Sequence, residues 1–331
     1  MLGKKIGIDL GSAAMRVHLR GEGVVLDEPA AVAVAAEGRV IAVGSAAYEA
    51  AARGEGHLRH PLRAGAIDDR AALDACLAHL VSRGAGRQRI FKPDVMVAVA
   101  SAMSGADRRA TLEGCARAGA RSMYLIDAPL AAAVGSAVST SGASGRLIVD
   151  IGAGKIDCAV VAGEGMVAVR CLRRGAAQLT ADIAAHLSLA YGARVDDSAA
   201  EEAKREVGSA VPLAEERTLR LPAWHGSEEV EVVVSSTEVH AAMAGWLRSL
   251  AELVDAVVDE APEPLADDVR HRTGGLLAGA GSRLRGLDRY LGVATRIPMT
   301  IAPDPAGCVV RGTGAALESL DVVRRTFLYV R

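Results

Sequence analysis

The sequence is short of aromatic residues, of excess charge and of long apolar runs. Aromatic side chains make up 3% of the 331 residues while half of all residues are hydrophobic, so its cores must be aliphatic and closely packed. The formal net charge is −2 and no basic run exceeds a few residues, which leaves no electrostatic footprint for nucleic acid. No apolar run reaches the roughly 18 residues of a membrane span. The five cysteines, Cys76, Cys115, Cys158, Cys171 and Cys308, include no CxxC pair. They read as buried thiols in a reducing compartment, not as a disulfide framework or a zinc site. The histidines also lack ligand spacing; His57 and His60 are the one close pair and read as a loop feature. Met1 to Lys5 lead straight into a strand with no leader segment, and the expected location is the cytosol.

What the chain does have is a repeated acidic turn. Leu147-Ile148-Val149-Asp150-Ile151-Gly152-Ala153-Gly154 is a short apolar run ending in one carboxylate and then in glycines. Glycines there bring bare N–H groups close to a ligand and suit phosphate oxygens. The carboxylate suits a hydrated divalent cation. Ile6-Gly7-Ile8-Asp9-Leu10-Gly11 repeats the order at the start of the chain. Each copy continues through a second strand to a Gly-Glu-Gly turn, Gly21-Glu22-Gly23 and Gly163-Glu164-Gly165, and then a third strand. Two β-meanders, each carrying an acidic turn, predict two related halves facing a shared ligand.

Between and beyond them, strands alternate with helices, which predicts an α/β architecture. Helices are expected over 45–52, 68–83, 104–118, 130–138, 178–191, 199–207, 236–257, 284–291 and 314–325, with 54–65 and 84–92 as loops. Ser104 with Asp107 three residues on resembles a capping box, and Pro129 suits a first helical turn. Residues 139–145 read as the linker between halves. Trp224 and Trp246 read as packing residues. Taken alone, Glu201, Glu202 and Lys204 read as a solvated helix face, and Gly279-Ala280-Gly281 as a helix-entry turn.

The blocks occur in a telling order: the first acidic turn, Tyr124 to Ala133, the second acidic turn, Glu201-Glu202-Ala203-Lys204, Gly279-Ala280-Gly281, and Asp304-Pro305 with Gly312-Thr313-Gly314. This series closely resembles the bacterial actin MreB/Mbl family, over nearly the whole chain. The resemblance implies an actin-like (ribonuclease H-like) fold of two pseudo-symmetric lobes around a central cleft. Lobe I would comprise residues 1–140 and 314–331, with a small subdomain at about 33–70. Lobe II would comprise 146–313, with a small subdomain at about 181–242. It implies an ATP (or ADP) and Mg²⁺ site, with Asp9 and Asp150 orienting the metal's water shell. Gly11, Ser12, Ala13 and Ala14 would cradle phosphates from one side, and Gly152, Ala153, Gly154 and Lys155 from the other. Glu201, Glu202 and Lys204 would border the ribose and base, and Gly279, Ala280, Gly281 and Ser282 would pass under the adenosine.

The chain departs from the family pattern inside that site. The family's first turn reads Gly-Thr-Ala-Asn-Thr; here it is Gly11-Ser12-Ala13-Ala14-Met15. In the second turn Lys155-Ile156 replace two threonines; the lysine reads either as a contact to a terminal phosphate or as an exposed turn residue. The family's water-orienting glutamate before proline is Ala128, and Asp127, on the opposite face of a strand, is a poor substitute. Weak or absent hydrolysis is therefore expected with binding retained. Ile90-Phe91, flanked by Arg83, Arg87, Arg89 and Lys92, occupy the place of the family's membrane-touching loop and suit an anionic leaflet. The resemblance implies filaments at the inner face of the membrane that organise cell shape and wall synthesis, with cytoskeletal or wall-synthesis partners. A regulatory scaffold that does not polymerise alone, and a monomeric ATPase or kinase of the same superfold, are the rival readings.

Overall fold

The computed structural model describes residues 3–86, 91–137, 144–163, 165–319 and 328–330. The first half opens with the meander β1 (Lys5–Leu10), β2 (Ala14–Leu19) and β3 (Gly23–Pro29). There follow β4 (Val32–Val34), β5 (Val40–Val43), α1 (Ser45–Ala52), β6 (His57–Arg59), and the hairpin β7 (Leu62–Arg63) and β8 (Ala66–Ile67). Then come α2 (Arg70–Ala85), β9 (Asp94–Val99), α3 (Gly105–Arg117), β10 (Ser122–Asp127) and α4 (Ala128–Gly135).

The second half repeats the meander as β11 (Arg146–Ile151), β12 (Ile156–Ala162) and β13 (Gly165–Leu172). After it come α5 (Ala176–Tyr191), α6 (Asp197–Glu206), the hairpin β14 (Thr218–His225) and β15 (Glu228–Ser235), α7 (Ser236–Glu260) and α8 (Glu263–Asp268). β16 (Gly275–Ala278), α9 (Leu287–Thr295), β17 (Met299–Ile301), α10 (Cys308–Glu318) and β18 (Leu328–Val330) complete it.

The two main sheets share one plan. The first runs β18-β10-β9-β1-β2-β3 and the second β13-β12-β11-β16-β17. In each, an antiparallel three-strand meander is extended from its first strand by two further parallel strands. The central strands are buried on both faces and read as apolar runs. Between the sheets lie α4 and α10, in a core shared by Met96, Ile126, Ile148 and Leu276. The two helices approach to backbone contact: a Cβ on Gly135 would overlap the Cys308 carbonyl, and one on Gly312 the Ala131 carbonyl. Small residues are what permits that distance, which accounts for much of the alanine richness here.

Helix boundaries mostly follow local chemistry. Ser104 accepts a hydrogen bond from the Asp107 N–H at 3.0 Å and caps α3. Ser235 and Glu238 form a reciprocal capping box for α7. That helix buries Val239, Met243, Trp246, Leu250, Val254 and Val257 at three- and four-residue spacing. Two expectations are corrected. The last long helix begins at Cys308 rather than Gly314; Gly312 and Gly314 interrupt nothing, because close packing selects them. The 54–65 loop contains β6, which pairs antiparallel with β4 and packs Leu58 beside Ala33, and β7. Of the cysteines, Cys171 is half-buried and the other four are buried, all as free thiols. Among the described residues no helix is long and apolar enough to cross a membrane.

Candidate functional site: a cleft between two acidic hairpins

Each meander presents its acid at the same place. In the first hairpin Asp9 stands opposite Arg16, and the Gly11 N–H donates to the Ala14 carbonyl at 2.9 Å. In the second, Asp150 stands opposite Asp157, and the Gly152 N–H donates to the Lys155 carbonyl at 2.9 Å. The same closing bond shapes both turns and leaves the N–H groups of Ser12, Ala13, Ala153 and Gly154 outside it. The turns meet: Gly154 comes so near the Ser12 side chain that a Cβ there would crowd it.

The charges differ. Asp9 lies 3.6 Å from the Arg16 guanidinium, which also pairs with Asp27 at 3.1 Å. Burial pushes the Asp9 carboxyl up to about 6; Arg16 opposes that rise and the Asp150 charge adds to it. In the second hairpin two carboxylates face each other, and the Lys155 ammonium lies between them, 3.2 Å from Asp150 Oδ2 and in contact with Asp157. Burial works against the lysine's charge, but Asp157 and Asp150 outweigh it and hold the ammonium above the ordinary lysine value. Asp157 is fully buried. Although burial works the other way, Lys155 and Ser101 hold its carboxyl below the usual range. The Ser101 hydroxyl donates to Asp157 Oδ1 at 2.5 Å. The exposed-turn reading of Lys155 is thereby corrected. Its stem packs beneath Gly65, at the tip of the β7–β8 hairpin, where Ala64 and Gly65 both have positive φ (49° and 80°), as a two-residue type I′ turn requires.

One cleft collects most of the residues named from sequence. Asp9, Gly11, Ser12, Ala13, Ala14, Asp150, Gly152, Ala153, Gly154, Lys155, Gly279 and Ala280 all line it, together with Ala128. Arg16, Leu62, Gly65, Met103 and Val309 also line it, and sequence reasoning passed them over. Its volume is about 130 Å³, small beside the roughly 300–1,000 Å³ of ordinary small-molecule pockets. That is room for a phosphate group rather than for a whole nucleotide. Behind the second hairpin the chain turns at Gly279 with φ 78°. A Cβ there would overlap the Ile151 backbone, so only glycine fits. Gly281 packs on the Ile151 side chain, and the buried Ser282 hydroxyl donates to the Gly279 carbonyl at 2.7 Å.

The remaining candidates lie elsewhere. Glu201 and Lys204 on α6 pair at 2.5 Å, and both bond the Thr180 hydroxyl on α5, at 2.6 and 2.7 Å. Lys204 also donates to the Ala176 carbonyl at 3.3 Å, and the Ala176 N–H donates to the Gly152 carbonyl at 2.9 Å. They therefore brace the second acidic turn from behind without lining the cleft. Glu202 is exposed. Asp127 is bound by Arg108 at 2.5 Å; burial raises its carboxyl and Arg108 opposes the rise. It does not line the cleft, so it is not placed to orient a water there. Phe91 is 50% exposed, whereas Ile90 falls outside the described residues.

The profile of the MreB/Mbl protein family matches residues 3–325. The chain belongs to the MreB/Mbl family. It is 33% identical over 332 residues to the cell shape-determining protein MreB of Escherichia coli strain K12, covering 97% of this chain and 95% of that one. With the cell shape-determining protein Mbl of Bacillus subtilis strain 168 it shares 29% over 326 residues, covering 97% and 98%. Among solved structures, MreB5 of Spiroplasma citri bound to ADP superimposes with a TM-score of 0.89 at 26% identity, over 96% of this chain and 97% of that one. MamK in its double helical filament shares the fold, with a TM-score of 0.83 at 20% identity over 96% and 99%. The fold is thus that of the actin-like MreB group.

A nucleotide's phosphates fit the residues present, since two turns of small residues and a third turn pressed against Ile151 leave room for backbone donors. A divalent cation held through Asp150 fits poorly. That carboxylate already carries an ammonium in contact with it, and Asp9 faces a guanidinium. Among the described residues no group of three His, Cys, Asp or Glu side chains is placed to hold a metal.

Proposed function

We propose that this member of the MreB/Mbl family binds ATP or ADP in the cleft between its acidic hairpins. We also infer that it assembles into filaments that organise cell shape and wall synthesis at the inner face of the membrane. The observation that carries this reading is the convergence of both hairpin turns and the Gly279 turn on one cleft. It is supported by the likeness to MreB5 of Spiroplasma citri, solved with ADP and with AMPPNP. Calorimetry with ADP tests the first half, and pelleting with electron microscopy in ATP, ADP or no nucleotide tests the second. Filaments are expected only with nucleotide. Hydrolysis is expected to be slow, because Ala128 lines the cleft where the family carries its glutamate and Asp127 does not line it. Ala128→Glu should raise single-turnover hydrolysis by about 10²-fold or more.

A second reading, a nucleotide-binding scaffold that does not polymerise alone, is favoured by the altered second turn with Lys155 between two acids. Absence of polymer in every nucleotide state, with binding intact, would decide for it. Membrane contact rests on the exposed Phe91 beside Lys92. Phe91→Ser should weaken co-sedimentation with anionic liposomes, most visibly for assembled protein, where weak contacts multiply. Equal pelleting of both forms would remove the membrane from the proposal.

A further inference from the structure

Two carboxylates opposite each other on adjacent strands repel, yet Asp150 and Asp157 occupy such a pair with little access to solvent. What makes the arrangement tolerable is the Lys155 ammonium between them. An ammonium carries three donors and no acceptor; Asp150 and Asp157 take two, which leaves one. Lys155 also lines the cleft alongside Gly152, Ala153 and Gly154. A carboxylate, a fixed cation and an open donor position thus stand in sequence at the wall that would face a nucleotide's phosphates.

We propose that Lys155 is a tethered cation that bridges Asp150 to the phosphates of a bound nucleotide, so that binding needs no divalent metal. Two features of the site favour this over a lysine that merely plugs a gap. Its stem is held from the far side by Gly65 and Ser101 fixes the Asp157 carboxylate, so the ammonium is positioned rather than free. A divalent ion entering beside it would stand next to a like charge already seated on the same carboxylate. Lysine is a compact point charge, the side chain closest in character to a small bound cation. The inference rests on reading the cleft as a nucleotide site.

The test is calorimetric titration of the intact chain with ADP, once in excess MgCl₂ and once in EDTA, for the wild type, Lys155→Arg and Lys155→Thr. The wild-type Kd should differ between the two buffers by less than about tenfold, a gap of roughly 1.4 kcal/mol in binding free energy. Lys155→Arg, which keeps the charge, should behave likewise, whereas Lys155→Thr should weaken by more than about tenfold in EDTA and recover in MgCl₂. Wild-type binding that is lost in EDTA overturns the inference while leaving the nucleotide reading intact. So does a Lys155→Thr protein indifferent to magnesium. No ADP uptake in either buffer overturns the nucleotide reading and the inference together. Should Lys155→Thr fail to fold, the two wild-type titrations decide alone.

Discussion

The two acidic hairpins are near copies in backbone and opposites in electrostatics. Both place an aspartate at the end of a buried strand and close the turn with the same N–H to carbonyl bond. Seven residues past the acid, the first has Arg16 and the second Asp157. In the first, therefore, the countercharge comes from across the ladder and is shared with the half-exposed Asp27. In the second the facing residue adds to the problem, and the countercharge must come from the turn itself, through Lys155. The lesson is that a repeated backbone fixes where charges stand but not how they are neutralised. Only the second solution puts a cation at the wall where phosphates would lie.

The comparison breaks most visibly at its two cations. Lys155→Met would leave Asp150 and the fully buried Asp157 facing each other, and should cost about 3–5 kcal/mol. The expected loss for Arg16→Met is smaller, because Asp9, already raised to about 6, can take up a proton and its side chain is 20% exposed against none for Asp157. Urea denaturation of both variants measures the gap, and equal losses would mean that the hairpins are not electrostatically distinct. Adding Asp157→Asn to Lys155→Met should recover much of the loss.

Next in size is the pH signature. Asp9 is held at about 6 against an ordinary 3.8, so between those values the folded chain binds more protons than the unfolded one. Stability from this group therefore falls as pH rises from 4 to 6, by up to about 3 kcal/mol, and Asp9→Asn should remove that fall. Asp157 is shifted the other way. Its contribution is present above the ordinary carboxylate range and is lost as pH drops through its lowered value. Denaturation midpoints of wild type and Asp9→Asn across that range separate the two. A wild-type profile that Asp9→Asn leaves unchanged would show that Asp9 is not the strained acid. A further, modest effect concerns Ser101: removing its hydroxyl from Asp157 in Ser101→Ala should cost about 1–2 kcal/mol. No loss in the same urea assay would mean that Lys155 alone satisfies the acid.

The hairpins, their shared cleft and the order of most elements were legible because they rest on local signals: apolar runs ending in Asp and Gly, capping serines, helical spacing. The partners that govern the site were not. Asp157 reads as one more strand residue until the hairpins are overlaid on their acids, when the seven-residue offset sets it against Arg16. Ser101 and Arg108 reach the site from α3 and the loop before it, 56 residues from Asp157 and 19 from Asp127, with no sequence pattern to announce either. Gly312 falls before the expected 314–325 helix, whereas in the structure it lies inside α10 and answers a neighbouring helix. Glu201 and Lys204 show the reverse: residues of the right type in the right order, turned toward α5 instead of the cleft.

The contact of α4 with α10 has a mechanical consequence. α10 lies on β1 and β9, and α4 on β11 and β12, so their crossing joins the two sheets. Backbone pressed to backbone at Gly135 and Gly312 leaves no compressible side chain to absorb a translation, whereas a swivel about the touching point displaces few atoms. Any widening of the cleft to admit a whole nucleotide should then proceed as a scissor movement about that pivot.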